Sequence, residues 1–226
     1  MIILREFDNF SKNKARSWTL QYQKGAAIYF ESDPNNYWYE VICGIVRTCR
    51  LHTDGHRQLT GFYYAGDVFG VDDGSVHIES AETVTDAMIR RHDHDSHDSE
   101  AAQRAVALQR ALDNARRCIF LFGHKTASAR VAAFLITMEE RLDAGEGVAV
   151  PMSRTDIADH LGLTIHTVSR TISDLARQEL IALDGPKSIR VINRWALRAL
   201  AGLDPDDTAA LPEIRIDARA GVPESR

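Results

Sequence analysis

Along the 226-residue chain the spacing of hydrophobic positions changes character more than once, and each change marks a different kind of element. From about residue 18 to 91 the chain consists of short runs rich in β-branched and aromatic residues: WTLQYQ, AIYF, YWYEVIC, IVRTCRL, RQLTGFYY, VHIES and ETVTDAMI. Turn-forming residues punctuate them at Gly25, Asp33-Pro34, Gly44, Asp54-Gly55, Gly66-Asp67 and Asp73-Gly74. Asp54-Gly55, between two strand-like runs, is the clearest hairpin signal because both residues tolerate positive φ. Turns at this density predict an antiparallel β-roll, a jelly roll or small barrel, over residues 1–98.

The period then lengthens. In SEAAQRAVALQRALDNARRCIFLF the apolar residues Ala101, Ala105, Leu108, Leu112, Ala115, Ile119 and Phe122 follow one another at alternating steps of four and three. That is a heptad seam, narrower than the stripe of a helix that only covers its own domain. It predicts a dimer interface along a long helix, the alternative being a helix packed on its own β domain. Gly123 interrupts, and TASARVAAFLITMEERL supplies a second amphipathic helix, so residues 99–143 form a dimerisation unit.

A third unit, residues 144–202, follows DAGEGVAV. Ser153 and Asp156 have capping-box spacing, Gly162 is placed to end that short helix, and Thr164 to cap the next. Ala158, Gly162 and Val168 let two helices cross closely through a tight turn, the helix-turn-helix pattern. In the second helix Val168 and Ile172 face inward, leaving His166, Ser169 and Arg170 outside. LIAL, DGPKS and IRVI form a hairpin in the position of a wing, and Asn193 is placed to cap a last helix, RWALRALA. Residues 203–226, rich in proline and without an apolar period, are expected to form a mobile tail. The fold class expected is therefore α+β: β-roll, long dimerisation helix, C-terminal winged helix-turn-helix.

Composition narrows the function classes. With 44% apolar and 26% charged residues the chain is of ordinary globular type. No run approaches the ~20 apolar residues of a membrane span, and MIILREFDNF lacks a signal-peptide core, so a cytoplasmic protein is expected. The net charge of −5 argues against nonspecific coating of nucleic acid, although a dimer needs few cations per half-site. Cys43, Cys49 and Cys118 have no C-x-x-C spacing and are expected to be buried thiols.

These segments together resemble the CRP/FNR transcription regulators, and within them the FixK branch. The resemblance covers roughly residues 20 to 200 and rests on YEVICGIVRTCRLHTDGHRQLTGFYYAGDVFG, LFGHKTASARVAAFLITMEERL and PMSRTDIADHLGLTIHTVSRTISDLARQELIAL. It implies a cyclic-nucleotide-binding-like β-roll, a homodimer, double-stranded DNA and RNA polymerase as partners, and a palindromic TTGA…TCAA type of site, often in oxygen-limitation or nitrogen-fixation control. In the family a Glu-x-x-Ser-Arg set reads the half-site; Ser169 and Arg170 match it, and His166 stands where the glutamate is expected. Arginine suits guanine O6 and N7. Thr155 and Thr167 at helix starts, and Lys187 and Arg190 on the wing, are candidate phosphate contacts.

The effector side departs from the cyclic-nucleotide-binding relatives. Where they carry an Arg-Ser-Ala stretch, this chain has Glu79-Ser80-Ala81, and a carboxylate repels a cyclic phosphate. No cyclic nucleotide is expected. Nor is an iron–sulfur cluster, because residues 1–42 hold no cysteine. No cofactor, resident metal or catalytic residue is expected. RRHDHDSHDSE, with His92, His94 and His97, is read as a solvated loop leading into the long helix rather than a metal site. The rival reading, a cupin-like metalloenzyme or sensor using His52, His56 and His77, leaves the winged helix unexplained.

Overall fold

The computed structural model describes residues 17–55, 57–93, 101–123, 126–142, 148–185 and 188–203. Eight short strands build its N-terminal part: β1 (Ser17–Tyr22), β2 (Ala27–Tyr29), β3 (Tyr37–Cys43), β4 (Val46–Leu51), β5 (Arg57–Tyr63), β6 (Val68–Phe69), β7 (Ser80–Thr83) and β8 (Ala87–Asp93). They pair antiparallel in two four-stranded sheets, ordered β1-β8-β3-β6 and β2-β7-β4-β5. Alternating side chains from both sheets, among them Tyr29, Tyr39, Val41, Val46, Phe69, Ala81 and Ile89, fill the interior. Gly44 links β3 to β4 at φ 90°, and a Cβ there would lie 2.7 Å from Ala87 Cα, so a side chain has neither the backbone angle nor the room.

Three readings of this region need correction. VHIES is not a strand: Val76 makes only an isolated bridge to Pro34, and the ladder begins at Ser80. The physical reason is His77, which turns inward, stacks on Tyr29 at 3.7 Å and meets Asp72 Oδ2 at 2.9 Å. His92 is no solvated loop residue either. It sits in β8, buried, its ring flat against Trp38 at 3.8 Å; His94 and His97 lie outside the described residues. The third correction concerns Cys43, which is exposed at the end of β3, while Cys49 is buried.

A bulge in β5 decides which side chains leave the roll. Thr48 pairs with Gly61 and Cys49 with Leu59, so Thr60 is the extra residue. Leu59 and Phe62, three positions apart, consequently both join the apolar cluster formed with the helices, whereas Tyr63 packs against the interior of the roll. Thr60 itself is tied to the Thr48 hydroxyl at 2.7 Å and donates a short hydrogen bond to Glu79.

The helices follow as α1 (Ala101–Gly123) and α2 (Ala127–Leu142). Beside the seam positions, α1 touches the roll through Ala111, packed near Trp38 and Val68, and through Arg110, whose Nη1 donates to Gly66 O at 3.1 Å. α2 is apolar over Val131–Ile136 and buried there. Around it stand β9 (Val148–Ala149), α3 (Arg154–Leu161), α4 (Ile165–Arg177), β10 (Ile181–Gly185), β11 (Ser188–Val191) and α5 (Arg194–Leu200), with the three strands ordered β10-β11-β9. Asn193 caps α5, its Oδ1 accepting from Ala196 N at 3.0 Å, and Arg198 ties α5 to Glu140 of α2 at 2.9 Å. One apolar cluster runs without a break from Leu59 and Phe62 of β5 through Phe134 of α2 to Ile157, Leu161, Val168 and Ile172.

Candidate nucleic-acid interface

The local chemistry of α3 and α4 forms a helix-turn-helix. Ser153 Oγ accepts from Asp156 N at 3.0 Å while Asp156 Oδ2 accepts from Ser153 N at 3.1 Å, the reciprocal capping box. Gly162 ends α3 in the left-handed region at φ 62°. Thr164 restarts the chain, its Oγ1 accepting from Thr167 N at 3.1 Å. Leu163 N donates to Ala158 O at 3.0 Å, fixing the turn between the helices.

On α4 the division of faces is sharp. Val168, Thr171, Ile172 and Leu175 are buried; His166, Ser169, Arg170 and Ser173 are exposed. Residues three and four apart share a face, so these four form one strip along the outer side. Ser173 Oγ donates to Ser169 O at 3.0 Å, within the helix itself. Arg170 has no ion-pair or hydrogen-bond partner among the described residues. The face offers a fork of guanidinium donors, an imidazole and two hydroxyls, the chemistry suited to base edges in a major groove.

The remaining candidates are distributed around that strip. Thr155 is exposed in the first turn of α3, and Thr167 is half-buried, its hydroxyl 2.8 Å from that of Thr164. Arg190 on β11 is engaged by Asp184, with Nε to Oδ2 at 2.9 Å, and Lys187 lies outside the described residues. Sequence reasoning passed over Arg154, the first residue of α3. Its Nη1 is buried without a hydrogen-bond partner, and burial pushes the guanidinium below its ordinary pKa. An arginine at the start of a helix is easily taken for a solvated charge; only the fold shows it desolvated at an anion-attracting helix end.

Seam positions on α1 are open to solvent where they are described: Leu108 is 48% exposed, Leu112 51% and Ile119 69%, and Ala105 and Ala115 are exposed too. The side chains of Ala101, Phe122 and Cys118 lie outside the described residues.

In the roll, burial raises the Glu79 carboxyl above the ordinary carboxylate range, against the Thr60 hydrogen bond that lowers it. The rival metal reading gains nothing here. His52 is exposed and 2.9 Å from Gln58 Oε1, His77 is buried with Asp72, and His56 lies outside the described residues. Among the described residues no three His, Cys, Asp or Glu side chains are grouped to hold a metal ion, and no described helix is long and apolar enough to cross a membrane.

Comparison with known proteins agrees with this geometry. Residues 19–103 match the cyclic nucleotide-binding domain and residues 129–200 the Crp-like helix-turn-helix domain. The nitrogen fixation regulation protein FixK of Rhizobium meliloti is 36% identical over 179 residues, which is 79% of this chain and 85% of the relative. The transcriptional activatory protein AadR of Rhodopseudomonas palustris is 35% identical over 80% of both chains. The solved structure of FixK2 from Bradyrhizobium japonicum superimposes with a TM-score of 0.75 at 37% identity, covering 82% of this chain and 97% of that one. With a β-roll, a winged helix-turn-helix and relatives of this similarity, the chain belongs to the CRP/FNR family of transcriptional regulators, in its FixK-like branch.

Proposed function

We propose that this regulator works as a homodimer in the cytoplasm, binds a palindromic TTGA…TCAA-like site, and activates transcription through contact with RNA polymerase, without catalytic activity of its own. The observation that carries this reading is the exposed strip His166–Ser169–Arg170 on a helix whose opposite side is buried in the domain core. Arg170 takes guanine O6 and N7; Ser169 donates to a base or phosphate; His166 donates to a purine N7 or a phosphate. Thr155, Thr167, Lys187, Arg190 and Arg154 bind the flanking phosphates, Arg190 by exchanging Asp184 for the DNA backbone. The proteins it resembles are named for nitrogen fixation regulation and activation, which supports a role in nitrogen-fixation or oxygen-limitation control.

The apolar seam Ala101, Ala105, Leu108, Leu112, Ala115, Ile119 and Phe122, exposed at Ala105, Leu108, Leu112, Ala115 and Ile119, supports pairing of two α1 helices about a two-fold axis. Two α4 helices then lie about one DNA turn apart, roughly 34 Å. Glu79, half-buried where cyclic-nucleotide-binding relatives place an arginine, supports a roll that takes no cyclic nucleotide. Titration of a TTGA…TCAA duplex and of a scrambled duplex, followed by fluorescence anisotropy at fixed salt, tests the proposal. A preference of about 10³ or more for the palindrome is expected; equal binding of both rejects it.

A further inference from the structure

The β-roll reaches the DNA-reading unit through two arginines. Arg47 lies on β4 and Arg57 on β5, and both donate to the same carboxylate oxygen of α3: Arg47 Nη1 to Asp156 Oδ1 at 2.9 Å and Arg57 Nη2 to Asp156 Oδ1 at 2.7 Å. Arg57 Nη2 also meets Asp159 Oδ2 at 3.1 Å. Arg47 is held from its own sheet by its cross-strand neighbour Glu82, Nη2 to Oε2 at 2.7 Å. Asp156 is only 5% exposed. Its other oxygen is the capping-box acceptor of Ser153 N. One carboxylate therefore fixes the start of α3 and fastens α3 to the roll.

Apolar packing closes around this charge pair. The Phe62 ring of β5 lies 4.9 Å from the His160 imidazole of α3 and 6.0 Å from Phe134 of α2. Separating a partly desolvated ion pair is costly because it leaves a charge without its partner, so the arrangement that keeps the pairs made is favoured. Here the geometry fixed is the angle at which α3, and α4 packed on it, leave the roll. The exposed strip of α4 is not covered by the roll in this arrangement.

We propose that Arg47 and Arg57 are positioning residues for DNA reading: with Asp156 and Asp159 they form a clamp that holds α4 in its reading orientation by the chain's own ion pairs. The proposal rests on the DNA-reading role of α4. Freed from the clamp, the helix pair samples other angles, and the apparent affinity falls by the fraction of time spent in the competent one.

Arg57→Gln, Asp159→Asn and the charge-keeping Arg57→Lys, all in the full-length protein, provide the test. The readouts are operator affinity over a range of salt, dimer mass and melting temperature. Arg57→Gln and Asp159→Asn are expected to bind the operator about tenfold more weakly, for a competent fraction of about one tenth. Dimer mass and the slope of log Kd against log salt are expected to stay as in wild type, and Arg57→Lys, which keeps a cation between Asp156 and Asp159, is expected to bind more tightly than Arg57→Gln. A slope lower by about one shows that Arg57 is itself a phosphate contact and overturns the clamp. So does wild-type affinity in folded Arg57→Gln, or a lower melting temperature with no change in affinity. If wild type shows no preference for the operator, the DNA-reading role fails instead, independently of the clamp. Should Arg57→Gln not fold, Asp159→Asn gives the same reading from the other side of the pair.

Discussion

Arg57 of the β-roll and Asp156 of the first helix of the helix-turn-helix meet at 2.7 Å, across a separation of 99 residues in sequence. The contact joins two units that the pattern of the chain presents as separate. Burial alone would raise the Asp156 carboxyl; the Ser153 hydrogen bonds and the Arg47 and Arg57 guanidinium groups outweigh it and hold the group below its ordinary range.

That arrangement separates two substitutions in one capping box. Ser153→Ala removes a cap and is expected to cost about 1 kcal/mol. Asp156→Ala also removes the acceptor shared by Arg47 and Arg57, which keep only Glu82 and Asp159, and is expected to cost about 2–3 kcal/mol. Denaturant unfolding of both variants measures the difference. Equal losses would mean that the arginines find other partners or water.

Next to this pair, His160 makes the same junction sensitive to acid. Burial pushes its pKa down to about 4 from the ordinary 6.5, against a hydrogen bond to the Leu59 backbone that raises it. The folded state therefore stays neutral while the unfolded state gains a proton, so stability is lost as pH falls from about 6.5 towards 4. About 2 kcal/mol is expected to go between pH 7 and pH 5 from this group. The stability difference between wild type and His160→Leu, followed over that range, isolates it; a constant difference contradicts the assignment.

The exposed α1 seam gives a third expectation. Replacing Leu108 and Leu112 by glutamate places like charges face to face, and the protein is expected to run as a monomer in ultracentrifugation. Operator affinity falls with it, because each half-site then binds without the effective concentration of a linked partner. Unchanged dimer mass contradicts the seam.

Glu79 supplies a fourth. Cyclic AMP at millimolar concentration is expected to leave both melting temperature and operator affinity unchanged. A ligand at 100-fold its dissociation constant would stabilise the fold by about 2.7 kcal/mol. A shift of that size would show that the roll neutralises a cyclic phosphate with some group other than an arginine at position 79.

Local chemistry was the legible part of this fold. Ser153, Gly162, Thr164 and Asn193 terminate or start helices where their side chains and backbone freedom require, and each acts within a few residues of itself. What depends on distant partners was not legible. Nothing near Thr60 marks it as a bulge residue, since only the pairing with β4 makes it one. His92 looked like part of a polar loop because the indole that buries it comes from β3. The role of Arg47 and Arg57 depends on Asp156, about a hundred residues further along the chain, and no local pattern marks it. The outward strip of α4 was readable because helical period alone sorts its faces, whereas the desolvated guanidinium of Arg154 was not.

Selection of bound duplexes from a random DNA library, with wild type, Arg170→Ala and His166→Glu at one salt concentration and pH, tests the central claim most directly. Wild type is expected to enrich a palindrome with half-sites one helical turn apart. Arg170→Ala is expected to lose ~1–3 kcal/mol per half-site and its discrimination at the guanine. His166→Glu is expected to sharpen one position towards C·G, through acceptance from cytosine N4. Identical preferences for wild type and His166→Glu would make the histidine a bystander. A wild-type protein that enriches no common sequence, or whose preferences survive Arg170→Ala intact, would contradict the account of α4 as the reading helix.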